Sequence, residues 1–307
     1  MPAIIAHHLF GEDAASLLPD GIISSQEDLL AFLLGSQGTD PFWARVTAPP
    51  KTAKACHEFT NRMHTEHMGI ALMALRDCVN RLSKDDRSVG RAFTLGMAAH
   101  YMLDSMTHPL VYSMQEGIVA ADPTLAQARG EIHAIIEADI DSWLLWEKRN
   151  KTVLDTPCAL ALAQTARIDR IVGAMLSQVA WEVFDIQIGA QEYGLAVRNY
   201  QLLYRLIDPP SQRMLGALSK AELLFRPHSR LLAQSHRVIT KNECPFANLD
   251  HRVWRNPSTG EVSMASFADL FHDALIAWPT FSQRLVEGDQ ARLEAMIGGT
   301  DYNGRQR

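Results

Sequence analysis

Apolar positions along this chain recur with a helical period, and the strict alternation that marks strands is nearly absent. Ser24-Ser25-Gln26-Glu27 has the form of a capping box, opening an apolar helix that runs through Leu34 and is ended by Gly35. Asp40 then falls in the loop Gly35-Ser36-Gln37-Gly38-Thr39-Asp40-Pro41. A helix is predicted from about Ala53 to Arg81, carrying His57, His64 and His67. Ser83-Lys84-Asp85-Asp86 has the form of a second capping box, before a helix from about Arg87 to Thr107. Pro109 disfavours α geometry at the residue before it, which puts His108 at or just past that helix's end.

Asp122-Pro123 has the N-cap and N1 form for a helix reaching about Lys148, which carries His133 and Glu137. Thr156-Pro157 repeats the signature, and apolar periodicity continues through Ile207 until Pro209-Pro210 breaks it. Asn242 to Ser263 is a long turn-rich stretch, and a last long helix starts near Ser266-Phe267-Ala268-Asp269 and passes through His272. No internal repeat, low-complexity tract or obvious linker interrupts the pattern. It predicts an all-α fold in a single domain over residues 1–307, with a second helical lobe after about residue 150 as the alternative.

Composition adds limits rather than identity. The chain is 47% hydrophobic and 21% charged, as in ordinary soluble globular proteins, and its net charge of -6 argues against a dominant nucleic-acid-binding surface. Met1-Pro2-Ala3-Ile4-Ile5-Ala6 has no basic region and meets His7-His8 too soon for a signal peptide. Apolar runs such as Gly69 to Leu75 are too short to span a membrane. Cys56, Cys78, Cys158 and Cys244 form no Cys-x-x-Cys and read as reduced, mostly buried residues of a cytoplasmic protein. Eight of the 12 histidines lie at or before position 133, and the later four show no ligand spacing.

The chemistry concentrates in His100 through Pro109. His100, Asp104 and His108 stand at intervals of four, as do His133 and Glu137, so each set shares a helix face. Imidazole nitrogen and carboxylate oxygen at that spacing are what zinc and its relatives bind. Eight residues of unbroken helix rise about 12 Å, too far for His100 and His108 to reach one ion through bonds of about 2 Å. At least two ions are therefore expected, with Asp104 between them, His108, His133 and Glu137 on one and His100 on the other. A structural His-Asp hydrogen-bond network is the alternative for a buried helix of this kind.

Several short pieces, in order, extend the pattern: Ala6-His7-His8-Leu9-Phe10-Gly11, Gly38-Thr39-Asp40-Pro41, Asn61-Arg62-Met63-His64, His100 through Pro109, and Glu131-Ile132-His133 through Asp139. Asn248 through Trp254 and Ser266-Phe267 follow. With these the chain resembles the zinc-dependent phospholipase C family, in particular bacterial members that lack a signal peptide. The resemblance implies an all-helical fold, shared with zinc nucleases, with a cleft between helices for up to three zinc ions. It implies that Asp40, His64, His100 and Asp104 hold one ion, that His108, His133 and Glu137 hold the second, and that His7 joins Asp104 on the third. The metal-binding core is then about residues 1–150 and the helical C-terminal half about residues 151–307. For the His64 slot, Asn61-Arg62-Met63-His64 matches the family better, while His57 in Cys56-His57-Glu58 stands closer to Asp40. His8 is expected to point away, and His67 to be a supporting or core residue. Secreted members complete the third site with a processed N-terminal tryptophan; this chain begins Met1-Pro2, which leaves that site weak, differently completed or empty.

The expected activity is zinc-dependent hydrolysis of a phosphodiester, with two or three zinc ions per chain and a metal-activated water attacking phosphorus. Asp40 is the candidate catalytic residue, orienting that water or accepting its proton. The resemblance implies a phosphoester small molecule or a phospholipid head group as partner, with Trp43, Tyr101, Tyr112 and Trp143 as aromatic candidates for a choline. The basic stretch Arg226, His228, Arg230, His236, Arg237, Lys241 reads first as a solvated face, so no stable nucleic-acid complex is expected. A single-strand nuclease, a small phosphoester hydrolase and a non-catalytic structural metal protein are the alternatives.

Overall fold

A computed structural model describes residues 4–209 and 212–306; Met1-Pro2, at the start of the chain, and Pro210, in the expected break, lie outside the described residues. The fold is all-α. Its helices are α1 (Ile4–Ser16), α2 (Gln26–Gly35), α3 (Pro50–Thr65), α4 (Met68–Arg81), α5 (Arg87–Ala121) and α6 (Arg129–Arg149). There follow α7 (Ala166–Phe184), α8 (Glu192–Ile207), α9 (Gln212–Glu222), α10 (Arg230–Gln234), α11 (Phe267–Glu287) and α12 (Gln290–Ile297). The turn-rich stretch contains a small antiparallel hairpin, β1 (Trp254–Arg255) with β2 (Val262–Ser263). Among the described residues no helix is long and apolar enough to cross a membrane.

The organising element is α5. Its 35 residues make a rod about 52 Å long, packed by α1, α2, α4, α6, α7 and α11. The helix does not end near Thr107 as the proline rule suggests; it runs on through Pro109 to Ala121. An interior proline deletes the hydrogen bond to the carbonyl four residues back and costs about 3 kcal/mol in an isolated helix. Here helices pack along α5 on several sides, and Gly304 lies so close to the freed Ser105 carbonyl that a Cβ on it would stand 2.9 Å from that oxygen. His108 consequently stands one full turn beyond Asp104 on an unbroken helix.

Other boundaries also moved for tertiary reasons. The predicted Ala53–Arg81 helix is two helices, broken at His67 with φ +56°. The carbonyl of His64, which would continue a single helix, instead accepts from the Tyr302 amide at 3.2 Å. The first cap forms one residue later than expected and without the reciprocal bond of a capping box: Ser25 accepts from the Asp28 amide, whereas Asp28 accepts from Ser24, and Glu27 is engaged by Thr165 and Arg167. No side-chain cap closes at Ser83 or Asp86, where Arg167 and Arg170 take the Asp86 carboxylate. Asp122-Pro123 and Thr156-Pro157 open only 3₁₀ turns, Pro123–Ala128 and Cys158–Leu162. The α7–α8 periodicity is interrupted at Asp185, and Ala190 then lies directly on Gly173. The last long helix starts near Ser266 as expected, and there Ser266 and Asp269 close a capping box. All four cysteines are buried and free.

One crossing positions the site. Where α2 meets α5, Gly35 and Gly96 face each other so closely that a Cβ on Gly96 would lie 2.1 Å from the Phe32 carbonyl. Only glycine permits that approach, and it presses the loop after α2 onto α5 at His100. There Gly38 adopts φ +61°, which favours glycine, before Asp40 opens the 3₁₀ turn Asp40–Thr47.

Candidate metal centre

Five elements bring donors together. α1 carries His7, the 3₁₀ turn Asp40, α3 His64, α5 His100, Asp104 and His108, and α6 His133 and Glu137. α1 is set by α6: the Asp141 carboxylate accepts from the amides of Ile5 at 2.8 Å and Ala6 at 2.7 Å. These are first-turn amides with no partner inside the helix, and the contact delivers His7 to Asp104.

The donors form three groups, largely buried, with His64 half-buried: Asp40 with His64 and His100; His7 with His100 and Asp104; and His108 with His133 and Glu137. His64 Nε2 lies 3.0 Å from Asp40 Oδ1, and His100 Nε2 lies 3.4 Å from His64 Nε2, 3.6 Å from Asp40 Oδ2 and 3.3 Å from Asp104 Oδ2. Glu137 Oε1 lies 3.3 Å from His108 Nε2 and 3.2 Å from His133 Nε2. His7 Nε2 lies 3.0 Å from Asp104 Oδ1, which is also 3.7 Å from His108 Nδ1. Donors bound tetrahedrally to zinc at about 2.0–2.1 Å stand roughly 3.3 Å apart, so this spacing fits that ion. Asp104 thus sits between the groups with both oxygens engaged.

The other face of each ring fits a metal as well. His64 Nδ1 lies 2.7 Å from the Thr60 carbonyl, His100 Nδ1 3.1 Å from the Ser36 carbonyl, and His108 Nδ1 2.7 Å from the Tyr302 carbonyl. His133 Nδ1 lies 3.2 Å from the Gln115 side-chain oxygen. A carbonyl only accepts, so each Nδ1 carries a proton and each Nε2 is aimed inward, where it would present its lone pair to an arriving ion, the arrangement metal-binding imidazoles use. Glu137 Oε2 is buried without a hydrogen-bond partner, an orphan that a cation would satisfy. His7 is less prepared: its Nδ1 faces His100 Nδ1 at 3.2 Å rather than a carbonyl.

Electrostatics follow the same geometry in the metal-free chain. Burial dominates at His100 and pushes it down to about 4, leaving a neutral donor. Burial opposes protonation at His108 too, but the Asp104 and Glu137 carboxylates overcome it and lift the ring to about 9. Against the burial that would raise them, the neighbouring histidines hold Asp40, Asp104 and Glu137 below the ordinary carboxylate range. The clustered carboxylates therefore remain charged at neutral pH, and an arriving cation displaces protons from His108.

The groups border a polar cleft of about 370 Å³, whose walls include Asp40, Asp104, His108, His133 and Glu137 with Trp43, Asn61, Tyr112, Gln115, Arg129 and Asn303. Of the four aromatic candidates, Trp43 and Tyr112 line it. Tyr101 and Trp143 are core residues, tied to the Thr300 carbonyl and to Asn242. His64, not His57, stands beside Asp40; His57 packs on Trp43. His67 is exposed at the α3–α4 break rather than supporting the site, and His8 faces Glu12. Residues 300–305 close one wall, with Tyr302 against His64 and His100 and with Asn303 accepting from Tyr112. No helical periodicity marks this segment; its only sequence signal is the turn chemistry of Asp301 through Gly304. One later histidine does join a ligand group: His236 lies with Cys158 and Asp208 in a fourth cluster.

The support from Gln115 is testable. Gln115→Leu keeps the volume but removes the acceptor at His133 Nδ1, and zinc affinity, read by competition with a chromogenic chelator, should weaken roughly 10–100-fold. An unchanged affinity would mean that Gln115 does not orient His133.

Residues 6–182 match the family model described as zinc dependent phospholipase C. That is more than half of the chain and contains all eight donors of the three groups, whereas Asn248–Trp254 and Ser266-Phe267 lie beyond it. No curated protein and no solved structure matches the chain.

Proposed function

Because this chain belongs to the zinc-dependent phospholipase C family, we propose that it is a metal-dependent hydrolase of phosphodiester bonds acting on a small diester of phospholipid head-group size. Asp40, His64, His100 and Asp104 would hold one zinc ion, His108, His133 and Glu137 a second, and His7 with Asp104 a third, less prepared site. Bound there, zinc supplies positive charge for phosphoryl oxygens and lowers the pKa of water towards neutrality.

The observation that carries the proposal is where the donors lie. The His108, His133 and Glu137 group offers three protein donors beside an accessible cleft, and catalytic zinc sites keep a coordination position free where structural ones are closed. Asp40, ionised and lining the cleft, orients the attacking water or accepts its proton. Arg129, paired with Glu116 at the rim, offers a guanidinium to a phosphoryl oxygen. Trp43 and Tyr112 supply the apolar and cation-binding surface for a head group.

A polynucleotide is a poorer substrate for this surface. Within the basic stretch, Arg230 is paired with Glu131, Arg237 with Asp139, and His236 is buried.

The test is hydrolysis of a chromogenic phosphodiester and of a short-chain phosphatidylcholine by zinc-loaded protein. Turnover abolished by chelation and restored by zinc is expected. A zinc-loaded, folded protein that cleaves neither, and that unfolds on chelation, would establish a purely structural metal centre instead.

A further inference from the structure

We propose that Cys158, Asp208 and His236 form an additional metal site, separate from the cleft, that takes zinc or another borderline divalent transition metal. They come from the 3₁₀ turn Cys158–Leu162, the residue closing α8 and the segment after α10. Each is at least nine-tenths buried: Cys158 2%, Asp208 4% and His236 4% exposed. Cys158 Sγ lies 3.3 Å and Asp208 Oδ1 3.0 Å from His236 Nδ1, near the spacing of tetrahedral zinc donors, where sulfur at about 2.3 Å adds a few tenths.

A second observation points to an ion. Asp208 Oδ2 is buried without a hydrogen-bond partner, while Oδ1 already accepts from the His236 amide at 3.0 Å. The unoccupied oxygen belongs to the carboxylate that faces both the thiol and the imidazole. His236 is also prepared from behind, with Nε2 3.1 Å from Asp141 Oδ2. That carboxylate accepts the Nε2 proton, so an ion that displaces the Nδ1 proton would find Nδ1 as its donor, the carboxylate–histidine–metal arrangement.

Charge makes the same case. A thiolate and a carboxylate together neutralise a divalent cation, so the loaded cluster adds no net charge to the interior. Metal-free, burial pushes the Cys158 thiol up to about 12, so the thiol keeps its proton until an ion displaces it. Cys158 also borders a surface pocket of about 130 Å³. Asp208 and His236 lie beyond the span that matches the family. Asp141, which also holds the start of α1, links this cluster to the helix that carries His7.

Sulfur separates the two centres experimentally, because the three cleft groups contain only imidazole and carboxylate. Cobalt(II)-loaded protein is expected to show a near-ultraviolet thiolate-to-cobalt charge-transfer band. Cys158→Ser should lose that band, keep the visible bands of cobalt at the cleft, and bind roughly one equivalent less zinc by elemental analysis. Cobalt bound with no sulfur band, or a band that survives in Cys158→Ser, overturns the site. If the variant does not fold, a second measurement on the unaltered protein decides: X-ray absorption at the zinc edge of zinc-loaded protein should show a sulfur ligand at about 2.3 Å, which the three cleft groups cannot supply. A zinc edge with nitrogen and oxygen ligands only rejects the proposal.

Discussion

Asp104→Ala is expected to lose about two zinc equivalents per chain and to lower phosphodiester turnover by at least about 10³-fold. The side chain has no spare oxygen: Oδ1 lies 3.0 Å from His7 Nε2, and Oδ2 lies 3.3 Å from His100 Nε2. Truncation therefore removes a donor from the cleft groups on both sides while leaving every histidine in place. Elemental analysis of the purified variant, with turnover of a chromogenic diester, measures both effects. Full metal content with full activity would sink the assignment of Asp104 as the shared donor. Stability of the chelated proteins adds a pH signature. Burial opposes ionisation of Asp104, but His108, His100 and His7 outweigh it and hold the folded pKa below the unfolded one. That contribution is complete above the unfolded value, about 4, and disappears as pH falls through the folded value. The melting difference between the parent and Asp104→Ala should accordingly be largest at neutral pH and shrink in acid.

Gly38→Ala should cost roughly 10²-fold or more in zinc affinity, although Gly38 donates nothing to an ion. At φ +61° an alanine is strained by about 1 kcal/mol, and its Cβ would lie 2.5 Å from His100 Cδ2 and Nε2. The ring cannot retreat easily, because it is fully buried and its Nδ1 is tied to the Ser36 carbonyl. Overpacking of this kind costs about 1–3 kcal/mol, and the strain falls on the nitrogen aimed at Asp40 and Asp104. Chelator competition reads the affinity, and a melt of the metal-free variant separates a displaced His100 from general unfolding. An affinity equal to the parent's would mean that His100 does not hold the ion.

The helical character, the turn-rich stretch, the start of the last long helix near Ser266 and the His-x3-Asp-x3-His spacing were legible because each depends on neighbours within a few residues. The errors share a cause. Pro109 reads as a terminator, yet α5 passes through it, since packing on several sides offsets the missing hydrogen bond. His67 reads as the interior of a long helix, yet the chain breaks there, because Tyr302 takes the His64 carbonyl. His236 shows no ligand spacing, and its partners Cys158 and Asp208 lie 78 and 28 positions away.

By itself the sequence determined the all-α class and the placing of His100, Asp104 and His108 on successive turns, since helix geometry alone sets that spacing. It also carried the family, through short pieces whose order survives without coordinates. Only the tertiary structure decided that α5 stays unbroken, that His64 rather than His57 meets Asp40, that carbonyls of Thr60, Ser36 and Tyr302 aim the rings inward, and that residues 300–305 wall the cleft. Those outcomes depend on groups far apart in the chain meeting in one buried place, and no local spacing records such a meeting.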